Sequence, residues 1–203
     1  MFDWNRWLFS RIAAGHQVDA PFMPAARWIT EHGAAVGILM LLALWCLRPT
    51  RRAGVLGVGL LAALSAAVAH ALADAFAMPR PFVAGDSAPW IAHGGRGAFP
   101  SAHATVMFAA ALGLWQLRGM RAAALAMAAL GLATAWARIH GGLHYPMDII
   151  GGAGLAAVLV LGLRFIALRF GERWTAPRGR LVRRQVLRRW RASTAGWPLR
   201  RPS

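Results

Sequence analysis

The sequence contains several long segments in which almost every residue is apolar, and these constrain its fold more than any other feature. A helix needs about 20 apolar residues to cross the hydrocarbon core of a bilayer. Five segments approach that length, the third and fourth being short: residues 23–47, 54–77, 102–117, 122–137 and 149–170. Since 58% of the 203 residues are hydrophobic, more than in average soluble domains, we predict an all-α membrane bundle of about five transmembrane helices.

The N-terminal segment has a different pattern. Its apolar residues recur at three- and four-residue spacing, which predicts a short amphipathic helix, at Trp4, Trp7, Leu8 and Ile12. Charged residues interrupt it, so it lacks the apolar core of a cleavable signal peptide. We expect a helix that either lies at the membrane interface or packs on the bundle. Residues 1–22 are assigned to this interfacial segment and residues 23–170 to the membrane domain.

Arginine is unevenly distributed between the two ends of the predicted spans. It collects after the first span, between the third and fourth, and after the fifth, at Arg48, Arg51, Arg52, Arg118, Arg121 and from Arg164 onward. Cytoplasmic loops retain positive charge during insertion. This end is therefore predicted to be cytoplasmic. The N-terminus and the loops at 78–100 and 138–147 are predicted to face the extracytoplasmic side.

The formal net charge of +16 would suggest nucleic acid in a soluble protein. Here the charge lies beside apolar spans, so no nucleic-acid partner is predicted. Residues 171–203 carry ten arginines, with Val182, Val186, Leu187 and Trp190 on one possible stripe. We expect a cytoplasmic tail that contacts anionic lipid headgroups; a solvated tail without regular structure is the alternative.

Three clusters of polar residues adjoin the spans, at 78–83, 99–103 and 138–148, and the predicted topology places all of them on one membrane face. Ionisable groups at such positions are costly and are functional candidates. Arg80 and Arg138 can bind phosphate through two parallel hydrogen bonds. Ser101 occupies the expected N-cap of the third span, where the helix dipole favours an anion. These residues favour phosphoryl transfer.

Two histidines and a carboxylate complete this candidate site. One histidine could attack phosphorus while the other protonates the leaving oxygen, because imidazole titrates near neutrality. Asp148 follows His144 by four residues and could orient its ring. His140, His144 and Asp148 could instead form a metal-binding helix face, but Gly141-Gly142 and Pro146 interrupt a helix there. Pro146 fits best as the first residue of the last span.

The three clusters resemble the signature of the type 2 phosphatidic acid phosphatase superfamily, which includes vanadium haloperoxidases. The family pattern is Lys-x6-Arg-Pro, then Pro-Ser-Gly-His, then Ser-Arg-x5-His-x3-Asp, and this chain matches it over residues 73–148. The resemblance implies a nucleophile at His144 that forms a phosphohistidine, an orienting Asp148 and an acid at His103. It also implies phosphate binding by Arg80, Ser101 and Arg138, without a metal or other cofactor.

Three positions depart from the family pattern: Ala73 replaces its Lys, Ala102 its Gly and Ala137 its Ser. Since the chain contains no Lys, we expect weaker phosphate binding or compensation by a residue such as Arg96. Among the remaining polar residues, His70 and Asp74 are interpreted as a buried polar pair or as pocket residues. His16, His93 and His140 are interpreted as loop or structural residues.

Residues 79–83 and 99–104 most resemble bacitracin-resistance-type undecaprenyl-diphosphate phosphatases. The resemblance implies hydrolysis of undecaprenyl diphosphate in cell wall biogenesis. A phosphatidate, phosphatidylglycerophosphate or lipid A phosphatase of the same superfamily is the alternative enzyme. A lipid-binding or transport protein without catalysis is the alternative of another class. The expected partners are thus a polyprenyl or glycerolipid phosphate and the bilayer.

Overall fold

The computed structural model describes residues 3–17, 21–95 and 97–174, and every regular element in this part of the chain is helical. The predicted all-α membrane fold is confirmed. A single 3₁₀ turn, Pro49–Arg51, joins the second and third helices. The six α-helices are α1 Asp3–Ile12, α2 Met23–Leu47, α3 Arg52–Phe76, α4 Ala102–Trp115, α5 Arg121–His140 and α6 Pro146–Trp174.

Within the described residues, four helices are long and apolar enough to cross a bilayer, namely α2, α3 with its preceding 3₁₀ turn, α5 and α6. The third predicted span, α4, is apolar but has only 14 residues. The fourth predicted span was too short, because α5 has 20 residues and continues through Arg138 to His140. The predicted span ended before the charged residue Arg138, but Arg138 lies buried in the last turn of α5.

Helix α4 lies at the centre of the bundle, where it packs against α3 and α5, while α2 packs on α5. The main core cluster includes Val58, Met107, Leu114 and Met127. Small residues allow the helices to approach closely, as membrane helix packing requires. On its other side α4 contacts α6, where Ala109 meets Ala156 and Val160.

Helix α1 packs on the bundle through one face. Asn5 and Phe9 are buried on that face, while Trp4 and Trp7 on the opposite side are exposed. The prediction of a short helix in this segment is confirmed, and the alternative in which it packs on the bundle is the one observed. The exposed tryptophans leave the interfacial placement of this helix as a prediction.

The chain divides into two units, residues 1–162 and 163–203. The first unit contains every candidate site residue. In the second unit the structure describes only the last turns of α6. The predicted lipid-contacting stripe at Val182 to Trp190 lies outside the described residues, so that interpretation and the predicted boundaries at 22 and 170 stay predictions.

Candidate active site

A tight turn between α5 and α6 presents His144. Helix α5 ends at His140 and α6 begins at Pro146, so the helix interruption that the sequence predicts is confirmed. The amides of Leu143 and His144 donate to the carbonyl of Arg138 at 2.9 and 3.3 Å. Gly142 has a φ of 72°, which favours glycine. The turn leaves His144 only 2% exposed.

The His144 ring is held between a carboxylate and a guanidinium. Its Nδ1 lies 3.3 Å from Asp148 Oδ2 and its Nε2 lies 3.2 Å from Arg80 Nη1. Since a carboxylate accepts and a guanidinium donates, the proton is on Nδ1 and the lone pair is on Nε2. Burial lowers the pKa of His144, and the nearby Arg138 and Arg80 lower it further. The ring is therefore neutral, with the lone pair of Nε2 facing Arg80.

Asp148 owes its position to the start of α6. It is the third residue of that helix, and its Oδ2 accepts a hydrogen bond from the Tyr145 amide at 2.8 Å. This is the contact by which a third-position acid reaches back to the residue before a helix. Pro146 at the first position has no amide proton to satisfy. One carboxylate thus caps the helix and orients the His144 ring.

Arg80 follows α3 and turns back under the loop that holds His144. It is 5% exposed, and its guanidinium donates to the carbonyls of Leu143 at 3.0 Å and Gly97 at 3.3 Å. Burial lowers its pKa, while Asp148 raises it. An arginine remains protonated under these conditions. Arg80 therefore supplies a fixed positive charge beside His144 Nε2.

The second motif brings the N-terminus of α4 to the same place. Ser101 is completely buried at the N-cap. Its side chain accepts from the Ala104 amide, and its own amide donates to the Asp148 carbonyl at 3.0 Å. The predicted N-cap is confirmed. His103 is half-buried on the first turn of α4, and no hydrogen bond to its ring is found within the described residues.

Arg138 completes the arrangement from the last turn of α5. Only 2% of it is exposed, and its Nη2 lies 3.1 Å from His93 Nε2. Within the described part of the chain, its Nε is buried without a hydrogen-bond partner. Sequence reasoning treated His93 as a loop residue and missed this contact. His93 lies in an irregular, exposed loop, so no periodicity could have identified it.

Ala73, at the position of the family lysine, is buried next to the loop that contains Gly97. Ala73 is 3% exposed, and the Gly97 backbone packs so closely on it that a Cβ at residue 97 would overlap the Ala73 carbonyl oxygen. Arg96, the residue proposed to compensate, lies outside the described residues. His70 and Asp74 are exposed on α3, so the interpretation as a buried pair was wrong, and the alternative that they are pocket residues stays a prediction.

Helix α1 supports the turn that carries His144. The Asn5 side chain accepts from the Met147 amide at 3.0 Å. The Arg6 guanidinium donates to Asp86 at 3.0 Å, and the Tyr145 hydroxyl donates to the same carboxylate. Burial and the nearby Asp86 raise the pKa of Tyr145, so its hydroxyl stays protonated. Sequence reasoning did not anticipate this network.

His140 faces away from the other candidate residues. Its Nδ1 donates to the Ile12 carbonyl at 2.8 Å, and its ring stacks on Trp136 with centroids 5.2 Å apart. It therefore links α5 to the end of α1, consistent with the structural interpretation. No group of three or more His, Cys, Asp or Glu able to hold a metal occurs within the described residues.

The site combines two buried arginines with a neutral histidine that a carboxylate orients, and it lies in a helical membrane bundle. Together these features are those of an integral membrane phosphatase. The model of the PAP2 superfamily matches residues 54–171, which include all six predicted site residues. This chain belongs to the PAP2 superfamily, and it is a hydrolase of lipid phosphates.

Two relatives resemble the chain over most of its length. Undecaprenyl-diphosphatase BcrC of Bacillus subtilis (strain 168) is 32% identical, over 71% of this chain and 72% of that protein. Putative undecaprenyl-diphosphatase YbjG of Escherichia coli (strain K12) is 32% identical, over 76% of this chain and 79% of that protein. The family resemblance inferred from the three motifs is confirmed.

Two solved structures share the fold. A transmembrane PAP2-type phosphatidylglycerolphosphate phosphatase from Bacillus subtilis superposes with a TM-score of 0.61 and 15% identity, covering 82% of this chain and 85% of that one. Aquifex aeolicus LpxE also gives a TM-score of 0.61, with 21% identity, covering 83% of this chain and 96% of that one. At these identities the likeness concerns the fold.

Proposed function

We propose that this protein hydrolyses undecaprenyl diphosphate to undecaprenyl phosphate through a phosphohistidine at His144. The observation that carries the proposal is the orientation of that ring. Its protonated Nδ1 points to Asp148, and its lone pair on Nε2 points to Arg80. A neutral imidazole beside fixed positive charge is suited to attack a phosphate whose own negative charge is balanced.

The chemistry proceeds in two steps. Arg80, Arg138 and the N-terminus of α4 at Ser101 hold the terminal phosphate. The His144 Nε2 lone pair forms a P–N bond while the bridging P–O bond breaks, and the leaving oxygen takes a proton from His103. His103 then removes a proton from water, which attacks phosphorus. The P–N electrons return to Nε2, and inorganic phosphate leaves.

The lipid chain has a suitable place below this site. An apolar cavity of about 530 Å³ lies among α2, α3 and α4, and small residues such as Gly37, Gly59 and Ala63 contribute to its lining. Val106, three residues after His103, also lines it. A headgroup at His144 would therefore place its hydrocarbon in this cavity, with the lipid entering sideways between helices.

The choice of undecaprenyl diphosphate rests on the two relatives whose names include it. Phosphatidylglycerophosphate and lipid A remain alternative substrates within the same chemistry. We also propose a bacterial inner-membrane location with the site facing outward. Arg48, Arg52 and Arg121 lie at the helix ends opposite to the site, which is the distribution that cytoplasmic loops show.

The first experiment measures phosphate release in detergent with EDTA from undecaprenyl diphosphate, phosphatidate, phosphatidylglycerophosphate and lipid A. We expect fastest release from the diphosphate and a loss of at least about a thousandfold in His144→Ala. His32→Ala, at an exposed position on α2, is the matched histidine control. Preference for another lipid would change the substrate and keep the mechanism. Substantial activity of a folded His144→Ala protein would refute the nucleophile.

A further inference from the structure

His93 holds Arg138 through an uncharged acceptor. A guanidinium only donates, so His93 Nε2 accepts from Arg138 Nη2 across 3.1 Å. The ring proton is then on Nδ1, which donates to the Gly94 carbonyl at 2.9 Å. Both contacts require the same neutral tautomer. The loop between the first two motifs thereby fixes one side of the Arg138 guanidinium.

The absence of a carboxylate at this contact has a chemical consequence. Buried arginines are normally paired with acids, which balance their charge. Within the described residues, no ion pair involves Arg138. An imidazole acceptor orients the guanidinium without neutralising it. The positive charge of Arg138 therefore remains uncompensated, and its buried Nε–H has no hydrogen-bond partner within the described residues.

We propose that His93 is a positioning residue that orients Arg138 for the phosphate oxygens of the substrate while preserving the arginine's charge. This inference rests on the proposed function, in which Arg138 binds phosphate. The electrostatic surroundings agree with a neutral ring, since desolvation lowers the pKa of His93, and the neighbouring Arg80 and Arg138 lower it further against the opposing effect of the Gly94 hydrogen bond. Ala73 adds no charge here, so the orientation of the two arginines determines how strongly the site attracts an oxyanion.

Two nearly isosteric replacements test the proposal. His93→Gln retains a neutral acceptor at the position of Nε2, whereas His93→Glu retains an acceptor but pairs Arg138 with a negative charge. His93→Ala removes the acceptor. The measurement is the dissociation constant of orthovanadate by calorimetry on the purified full-length protein, which requires no lipid substrate. The same charge change at His32, exposed on α2, controls for net charge.

We expect vanadate affinity within about threefold of wild type for His93→Gln, about tenfold weaker for His93→Ala, and about a hundredfold weaker for His93→Glu. The kinetic counterpart is a larger KM for the hydrolysed lipid in His93→Glu than in His93→Gln. Equal affinities for Gln and Glu would overturn the proposal, because a residue that only packs the loop does not distinguish them. Unchanged affinity in His93→Ala would also overturn it.

The same data separate this inference from the proposed function. If wild type binds vanadate with the expected order of variants but hydrolyses none of the lipids, the substrate assignment fails and the role of His93 stands. If wild type hydrolyses undecaprenyl diphosphate and His93→Glu binds vanadate as well as wild type does, the function stands and the positioning role is wrong.

Discussion

The site around His144 and the apolar cavity among α2, α3 and α4 are built in opposite ways: the site is buried, whereas the cavity opens to the outer face of the bundle at exposed residues such as Ile38 and Leu56. At the site, four polar side chains are at most 5% exposed and each is oriented by hydrogen bonds: Arg80, Arg138, His144 and Asp148. The cavity is lined by apolar and small residues of α2 to α5, without a charged group. The cavity exists because the small side chains in its lining leave the space between the helices unfilled.

This difference predicts two kinds of sensitivity. Directional contacts in a low-dielectric region are lost when one atom changes, because a buried partner is then left unsatisfied. A cavity lined only by apolar residues, with alanine and glycine among them, tolerates the exchange of one apolar group for another of similar size but not an added ring. Substitutions that preserve volume should therefore impair the site strongly, and substitutions that add volume should affect the cavity selectively.

The largest effect is expected from Asp148→Asn, which preserves volume and removes charge. The amide oxygen can still accept from the Tyr145 amide, but the variant lacks the negative charge that stabilises positive charge on the His144 ring while the P–N bond forms, and a flipped amide would favour the wrong tautomer. We expect kcat to fall about a thousandfold. Phosphate release by a monodisperse variant measures this. Asp3→Asn, at the exposed start of α1, is the control, and an Asp148→Asn enzyme with near-normal kcat would show that Asp148 only caps α6.

Part of this site is predictable from the sequence and part of it is not. Arg80, Ser101 and His144 lie in ordered motifs next to helix ends, so their pattern and the membrane topology together predicted that they meet. His93 and Asn5 were missed because their contacts depend on how irregular segments fold back. Asn5 meets a residue 142 positions away and His93 one 45 positions away, and local pattern carries no information on such pairs.

An intermediate effect is expected at the contact between α1 and the site. Asn5→Ala removes the acceptor for the Met147 amide at the start of α6, which costs about 1 kcal/mol. Because that turn carries His144 and Asp148, we expect a lower unfolding midpoint and about a tenfold lower kcat. Asn5→Asp keeps the acceptor and adds a charge that favours a helix N-terminus. It should retain both properties, measured by thermal unfolding and phosphate release.

If Asn5→Ala lowered the unfolding midpoint without lowering kcat, α1 would stabilise the bundle without positioning the site. The contacts that determine kcat would then be confined to the turn between α5 and α6 and would not extend to α1. A parallel loss of both in Asn5→Asp would instead indicate that the amide group of Asn5 itself is required.

The smallest effect, and the most selective, is expected in the cavity. Ala63→Trp on α3 adds volume to its lining, so a long prenyl chain must compete with the indole. We expect KM for undecaprenyl diphosphate to rise about fivefold, while kcat and the hydrolysis of a short-chain prenyl diphosphate stay near wild type. Leu64→Trp adds a tryptophan at the next position, outside the lining, and should change neither. An equal rise in KM for both chain lengths would mean that the added volume disturbs the headgroup site, and that the two regions are coupled through α3 and α4.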